Sequence, residues 1–226
     1  ATQVNDQGFV PLPTDAPNVS ATLEVALALA SARAWAATFD RIVAWTEANV
    51  GTAIVVGGND DPGRIGLFLM LARTAALDPT SYGGVNLVDR LAATLGDLSP
   101  GLYGMGDPTY DGVFRQAQAL QGLHAAGVTP PVEAIDWLVD QQCGASPAAS
   151  TGGYLGYRAD TSVDCPAPDP DNFMGPDTNG TALAVQALAR FGRDAAVAAG
   201  LDFLDTAEAA DGGIGLDRGH GLGGGR

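Results

Sequence analysis

Helical segments of two kinds alternate along this chain, and the alternation is the strongest constraint on its fold. Segments of the first kind are apolar on nearly every side, at residues 20–34, 64–73 and 178–191. Segments of the second kind carry an apolar stripe opposite charged side chains, at residues 37–50, 85–95, 131–141 and 193–205; residues 111–124 are mixed. A helix that is apolar all round must be covered on all sides, whereas a striped helix faces water on one side. The sequence therefore predicts an all-α fold of four helical hairpins in an inner and an outer layer.

Two of the inner segments also share a sequence pattern. Asp111-Gly112 and Asn179-Gly180 are followed at the same spacing by Gln-Ala-Leu, at residues 118–120 and 186–188. Glycine turns that hold an aromatic or aliphatic residue follow the outer segments, at residues 101–104, 152–156 and 212–215. A unit of about 50 residues that contains a helix pair is typical of repeat folds, in which neighbouring units cover each other's apolar faces.

The repeat resembles that of a known superfamily. Residues 177–188 (DTNGTALAVQAL), followed by a helix and by Asp211-Gly212-Gly213, are similar to the repeat of the terpenoid cyclase/protein prenyltransferase superfamily. The similarity covers residues 60–216 and is strongest to secreted bacterial proteins with prenyltransferase/squalene oxidase repeats. The resemblance implies an α/α-toroid, a ring of helical hairpins. Four hairpins are fewer than a complete toroid of that superfamily has, so we expect an open ring or one completed by another chain.

The catalytic motifs of that superfamily are incomplete or missing here. Its cyclases use a D-x-D-D motif, whereas residues 169–172 read Asp-Pro-Asp-Asn. The zinc site of its prenyltransferases needs Asp, Cys and His, and neither His124 nor His220 has a cysteine or acid at ligand spacing. The C-G-E-Q thioester motif of complement-like members is missing, since Cys143 is followed by Gly-Ala-Ser. These residues favour a non-catalytic role.

The superfamily also includes carriers and interaction domains, so the fold alone does not decide the function. We expect a non-catalytic extracellular binding, interaction or structural module that has a protein partner or forms a homo-oligomer. An isoprenoid-processing enzyme that acts on an apolar small molecule through Asp169 and Asp171 is one alternative. A cobalamin-carrier-like binder of a small molecule is the other.

Four aromatic residues are candidates for contact with a ligand or partner. They stand on or near glycine turns at one end of the hairpins, which a toroid would gather on one rim: Tyr103, Tyr154, Tyr157 and Phe173. The alternative is that each ring packs over a neighbouring hairpin.

The segment around the second cysteine is rich in acids. Asp169, Asp171 and Asp177 place hard oxygen ligands at a spacing that suits calcium, although no glutamate follows to complete a known calcium loop. Calcium is therefore the one cofactor considered, and a solvated acidic loop is the alternative. Asp61 and Asp107, each followed by proline, are predicted instead to cap helices.

Charge and cysteine content limit the partners and the compartment. The 26 acidic and 11 basic residues give a net charge of −15, and every basic residue among those 11 is arginine. Such a charge repels nucleic acid and anionic lipid surfaces. The longest apolar runs are far shorter than the roughly 20 residues that span a bilayer, so no membrane insertion is expected. Cys143 and Cys165 are predicted to form a disulfide, which favours an extracellular or cell-envelope location; two free thiols are the alternative.

The chain divides into three parts on composition. Residues 1–18 are polar and contain prolines, and they are predicted to form an extended arm. Residues 19–216 hold the helical repeats. Residues 217–226 are glycine-rich and are predicted to form a flexible tail.

Overall fold

A computed structural model describes residues 3–96, 98–106, 111–169 and 174–208 of the chain. Within these residues there are eight α-helices: α1 Val19–Ser31, α2 Ala36–Ala53, α3 Pro62–Thr74, α4 Leu87–Ala92, α5 Val113–Ala125, α6 Val132–Asp140, α7 Thr178–Ala189 and α8 Asp194–Ala207. One 3-10 turn (Ala148–Ser150) and a small hairpin, in which β1 (Val55–Val56) pairs antiparallel with β2 (Asn59–Asp60), lie between them. The all-α class predicted from the sequence is confirmed.

Side-chain caps fix where four of the helices begin. In each, the side chain of the residue before the helix accepts a hydrogen bond from a backbone amide three residues later; the capping residues are Asn18, Asp61, Asn86 and Asp177. A cap of this kind stabilises a helix by about 1 kcal/mol. The cap predicted at Asp61 is confirmed, with Pro62 in the first turn. Asp107 lies outside the described residues.

Helix α4 is shorter than the predicted segment at residues 85–95. The Val85 amide donates to the carbonyl of Tyr82 at 2.9 Å, which places Val85 in a turn before the helix. At the other end, Leu95 forms an isolated bridge with Tyr103. Tertiary pairing therefore takes both ends of this apolar segment out of the helix.

The helices pack in a regular order. Helix α3 packs against α1 and α5, and α5 packs against α7, while α2, α4, α6 and α8 each pack on the helix that precedes them. Nine of the 13 residues of α3 are buried, against five of the 18 residues of α2. Helix α3, which is apolar all round in the sequence, is thus covered by neighbours on several sides.

Helices α3 and α5 touch through their backbones at two glycines. A Cβ atom on Gly66 would lie 2.2 Å from the carbonyl oxygen of Gln118, and a Cβ atom on Gly122 would lie 2.5 Å from the carbonyl oxygen of Gly66. No side chain fits at this crossing. Gly63, one turn before Gly66, likewise faces Gln118 and Arg115, so the two helices run in the same direction.

One loop structure, defined by a glycine contact with a helix and by a bond to the next helix, occurs three times in the described part of the chain. In each copy a glycine with a left-handed φ lies directly against a helix carbonyl, and an added Cβ would come within 2.4 Å of that oxygen. The pairs are Gly8 with Arg41 of α2, Gly101 with Glu133 of α6, and Gly152 with Ala199 of α8. Below, these three are called the glycine loops. Gly83 makes the same kind of contact with the carbonyl of Glu47 on α2, but the Val85 amide after it bonds to Tyr82 and not to a following helix.

Each glycine loop is also bonded to the first turn of the helix that follows it. The backbone amide two residues after the glycine donates to a side-chain oxygen in that turn. The pairs are Val10 with Thr22 Oγ1 at 2.9 Å, Tyr103 with Gln116 Oε1 at 2.8 Å, and Tyr154 with Thr181 Oγ1 at 3.0 Å. The same loop-to-helix connection is therefore made twice by threonine and once by glutamine.

The first glycine loop lies in the segment predicted to be an extended arm. Val4, Phe9 and Val10 of this segment are buried, and the Phe9 ring lies 5.4 Å from the ring of Trp45 on α2. Residues 3–18 are thus joined to the helices by buried apolar side chains.

None of the helices among the described residues has the length and apolar character needed to cross a membrane.

Candidate functional site

The connection between α6 and α7, residues 141–177, holds the predicted disulfide. Cys143 and Cys165 are bonded, and both are buried. The Cys143 amide donates to the carbonyl of Gly153 at 2.9 Å, and the Gly152 amide donates back to the carbonyl of Cys143 at 3.0 Å. The disulfide therefore ties the far part of this connection to the third glycine loop.

Arg158 organises the residues that lead to Cys165. Its guanidinium donates to four backbone carbonyls: those of Gln142 at 2.6 Å, Val163 at 2.7 Å, Thr161 at 2.8 Å and Asp140 at 3.3 Å. Hydrogen bonds from a charged donor are stronger than neutral ones, at about 1.5–3 kcal/mol for a good one. One side chain thus joins the end of α6 to the loop of residues 158–165.

The same loop has a local turn at Asp160. Its Oδ1 atom accepts hydrogen bonds from the Ser162 hydroxyl at 2.6 Å and from the Ser162 amide at 2.9 Å. These bonds favour the ionised carboxylate, so they lower the pKa of Asp160. The turn therefore carries a full negative charge at neutral pH.

Residues 159–164 of this loop are all exposed, although both ends of the loop are fixed. Val163 has 59% of its surface in contact with solvent. An open pocket of about 390 Å³ lies between the loop and the end of α6, with Val139 and Asp140 on one side and Val163 and Asp164 on the other. Residues 158–165 thus present exposed side chains on a backbone that is bonded to Arg158 and closed by the disulfide.

The predicted rim aromatics occupy different environments. Tyr103 and Tyr154 have 2% and 0% of their surface exposed, so both rings lie in the core and neither reaches a ligand at the surface in this structure. The reason is that the glycine loops fold back onto α5 and α7 and carry these rings inward. Tyr157 is half-buried and stacks over Trp137 of α6, with the ring centroids 6.2 Å apart. Phe173 lies outside the described residues.

Of the three carboxylates predicted as calcium ligands, Asp169 and Asp177 lie among the described residues. Asp177 uses its side chain to cap α7, accepting from the Gly180 amide at 2.5 Å. Asp169 pairs through its backbone with Met174. Asp171 lies outside the described residues. No group of three or more histidine, cysteine or acidic side chains suited to a metal ion occurs within the described ranges.

Other charged groups near the helix starts hold the fold together. The buried carboxylate of Asp61 caps α3 and also accepts from Arg115 Nε of α5 at 3.1 Å, joining the two central helices. Asp60, at the end of β2, forms a two-point ion pair with Arg90 of α4. The buried carboxylate of Asp111 accepts from the Met105 amide at 2.8 Å. The carboxylates of Asp60, Asp61 and Asp111 therefore connect parts of the fold to one another.

Sequence reasoning missed Arg158 and the first glycine loop. The four carbonyls that Arg158 binds belong to two separate stretches of chain. Every residue has a backbone carbonyl, so the sequence does not show which of them a side chain will bind. The first glycine loop has only Gly8 where the others have two or more glycines. The sequence signal that could have revealed this loop is Gly8 followed by the aromatic residue Phe9, ahead of a helix capped by Asn18.

Comparison of the chain with models of protein families, with curated proteins and with solved structures finds no significant match in any of the three.

Proposed function

We propose that this chain is a non-catalytic extracellular binding module that presents its recognition loop, residues 158–165, to a protein partner. The observation that carries the proposal is the combination of fixed backbone and exposed side chains in this loop. Arg158 holds the backbone through four carbonyls, and residues 159–164 remain open to solvent. Loops that are ordered before binding lose less conformational entropy when a partner binds, which raises affinity.

The scaffold suits such a role. Loops on a rigid framework of helices are common places for recognition. The row α1–α3–α5–α7, with one further helix packed on each member, supports the proposal that the helices form part of an α/α-toroid. The disulfide supports an oxidising compartment, such as the outside of the cell or the cell envelope.

Two valines allow a matched test of the proposal. Val163 of the recognition loop is 59% exposed, and Val132, at the opposite end of α6 from the loop, is 53% exposed. A photo-crosslinking amino acid, p-benzoylphenylalanine, would replace each valine in turn in the full chain, expressed in its own organism. We expect a discrete covalent adduct after irradiation of the variant at position 163.

The variant at position 132 serves as the control and should give no such adduct. An adduct of twice the chain mass would identify the partner as a second copy. The proposal is wrong if position 163 gives no adduct, or if both positions give the same adducts in the same amounts.

A further inference from the structure

The first and the last helix pairs of the row α1–α3–α5–α7 each have one open side. Within the described part of the chain, α3 and α5 each pack between two members of the row, whereas α1 packs against α3 and α7 packs against α5. The α1–α2 pair is therefore open on the side before it in the row, and the α7–α8 pair is open on the side after it.

The glycine loops define a common register for α6 and α8, because each of these helices has one carbonyl against a loop, at Glu133 and at Ala199. Ile135 and Leu201 each lie two residues after that carbonyl, so they hold the same place in their helices. Ile135 is 8% exposed, whereas Leu201 is 49% exposed. A helix pair follows α6 in the row, and none follows α8 among the described residues. Leu201 is thus exposed at a place that is covered on the preceding outer helix.

An ion pair joins α6 to the helix pair that follows it. Arg193, the residue before α8, donates to the carboxylate of Asp136 on α6 at 2.5 Å. Asp202 holds the place of Asp136 on α8, three residues after the carbonyl in contact with a glycine loop. Its side chain is exposed and forms no hydrogen bond or ion pair within the described ranges. Asp202 therefore offers, unused, the contact through which α6 is joined to its neighbour.

The inner helices carry small residues at the corresponding open positions. The fifth residue of α3, Gly66, meets the tenth residue of α5, Gly122, backbone to backbone. The fifth residue of α7 is Ala182, which is half-buried, and the tenth residue of α1 is Ala28, which is exposed. The distance between packed helices depends on the side chains at the crossing, so alanines at these two positions allow α7 and α1 of different copies to approach closely.

Trp35 and Arg33 stand at the start of α2. Trp35 lies six residues before Arg41, whose carbonyl is against a glycine loop, just as Arg193 lies six residues before Ala199. Trp35 therefore holds on α2 the place from which Arg193 on α8 reaches the preceding helix pair. It is 64% exposed. Arg33 is exposed as well, and its guanidinium forms no hydrogen bond or ion pair with the described residues.

We propose that a second copy of this chain covers the open side of α7 and α8 with its own α1–α2 pair. Three pairs of uncovered groups then meet across the contact: Trp35 with Leu201, Arg33 with Asp202, and Ala28 with Ala182. Burial of the apolar groups supplies affinity, and the opposite charges set the orientation. The register favours a second copy as the occupant, because its α2 brings an exposed ring and a free cation to the place that Arg193 takes against α6. This proposal does not rest on the recognition loop.

The contact joins two different surfaces of the chain. One contact between two copies therefore leaves a free surface of each kind, and further copies add head to tail unless the rotation closes a ring. The two surfaces can also be disabled separately, which a contact between identical surfaces does not allow.

Light scattering of the full, oxidised chain during size-exclusion chromatography would test the proposal, from about 1 µM to about 1 mM. A salt concentration of about 0.15 M screens the repulsion between the acidic copies beyond about 8 Å. We expect the natural chain to assemble with rising concentration. Trp35→Asp and Leu201→Asp each disable one surface, so each variant alone should stay monomeric at about tenfold higher concentration. An equimolar mixture of the two retains one intact pair of surfaces and should form dimers and nothing larger.

Val132→Asp is the matched control, since Val132 is 53% exposed and lies on α6, outside the first and last helix pairs. This variant should assemble like the natural chain, and circular dichroism would confirm that all three variants fold. The proposal is overturned if the natural chain stays monomeric across the range, or if the mixture of Trp35→Asp and Leu201→Asp fails to associate. It is also overturned if either of these variants assembles alone, or if Val132→Asp prevents assembly to the same extent.

Discussion

At the scale of single residues, two fully buried tyrosines differ in one respect. The hydroxyl of Tyr82 lies 2.7 Å from Thr46 Oγ1, and both groups are buried. The hydroxyl of Tyr154 is equally buried but has no hydrogen-bond partner among the described residues. A buried polar group without a partner costs free energy, whereas one with a partner stabilises the fold modestly.

We predict opposite effects when these two hydroxyl groups are removed. Tyr82→Phe should lower the free energy of unfolding by about 1 kcal/mol, because it breaks the bond to Thr46. Tyr154→Phe should leave that free energy unchanged or raise it. Urea unfolding followed by circular dichroism measures both, and each variant is the control for the other. A larger loss for Tyr154→Phe than for Tyr82→Phe would contradict this reading of the core.

Buried tyrosines also make stability depend on pH in the alkaline range. Burial raises the pKa of Tyr82 and of Tyr103 to about 12, from 10.0 in the unfolded chain, and raises the pKa of Tyr154 as well. The pKa values of these tyrosines are higher in the folded chain than in the unfolded chain. Their contribution to the free energy of unfolding is therefore fully present below pH 10 and is lost as the pH rises from 10 to about 12.

We therefore predict that the free energy of unfolding falls steeply across that interval, by on the order of 2 kcal/mol for each tyrosine. Urea titrations at steps of pH measure the fall, and the Tyr82→Phe variant should show a shallower one. If the free energy of unfolding stays constant up to pH 12, the phenol groups of these tyrosines are exposed to solvent and the prediction is wrong.

At the scale of elements, the positions of the helices followed from the sequence because each signal was local. Apolar periodicity, together with the predicted cap at Asp61, acts within one or two turns and places α3 and α7 within a few residues of where they lie. The cap at Asp177 was not among the predicted caps, since that residue was considered as a calcium ligand. The burial of Tyr103 and Tyr154 could not be predicted in the same way. It depends on a glycine loop that folds back onto a helix starting 12 residues after Gly101 or 26 residues after Gly152, and such a tertiary contact is not encoded locally.

The crossing of α3 and α5 gives a sharp prediction at this scale. Gly66→Ala places a methyl group where the backbone of Gln118 lies 2.2 Å away, so the two central helices must move apart. We expect a loss of more than about 3 kcal/mol in the free energy of unfolding.

Gly51→Ala is the matched control for that variant. It lies in the exposed face of α2, where the nearest atom to the new methyl group is 4.0 Å away. Because alanine favours helix over glycine, this change should stabilise the chain by about 0.5–1 kcal/mol. Equal effects of the two substitutions, measured by thermal or urea unfolding, would mean that α3 and α5 do not meet at Gly66.

At the scale of the whole molecule, a framework of packed helices carries one loop that is bonded to it at both ends. The helices supply the framework, the disulfide fixes the connection between α6 and α7 near the third glycine loop, and Arg158 sets the path of residues 158–165. The cysteine pair could be predicted from its isolation in the sequence. The role of Arg158 could not, since its partners are backbone atoms.

The measurement that tests this account most directly is backbone ¹⁵N relaxation of the full, oxidised chain. It compares the order parameters of the amides in the recognition loop with those of α6 and α7. We predict loop values near those of the helices, at about 0.85, and a fall in the same amides when Arg158 is replaced by alanine. Order parameters below about 0.6 across residues 159–164 of the natural chain would contradict the account, because a loop that moves so freely is not organised before binding.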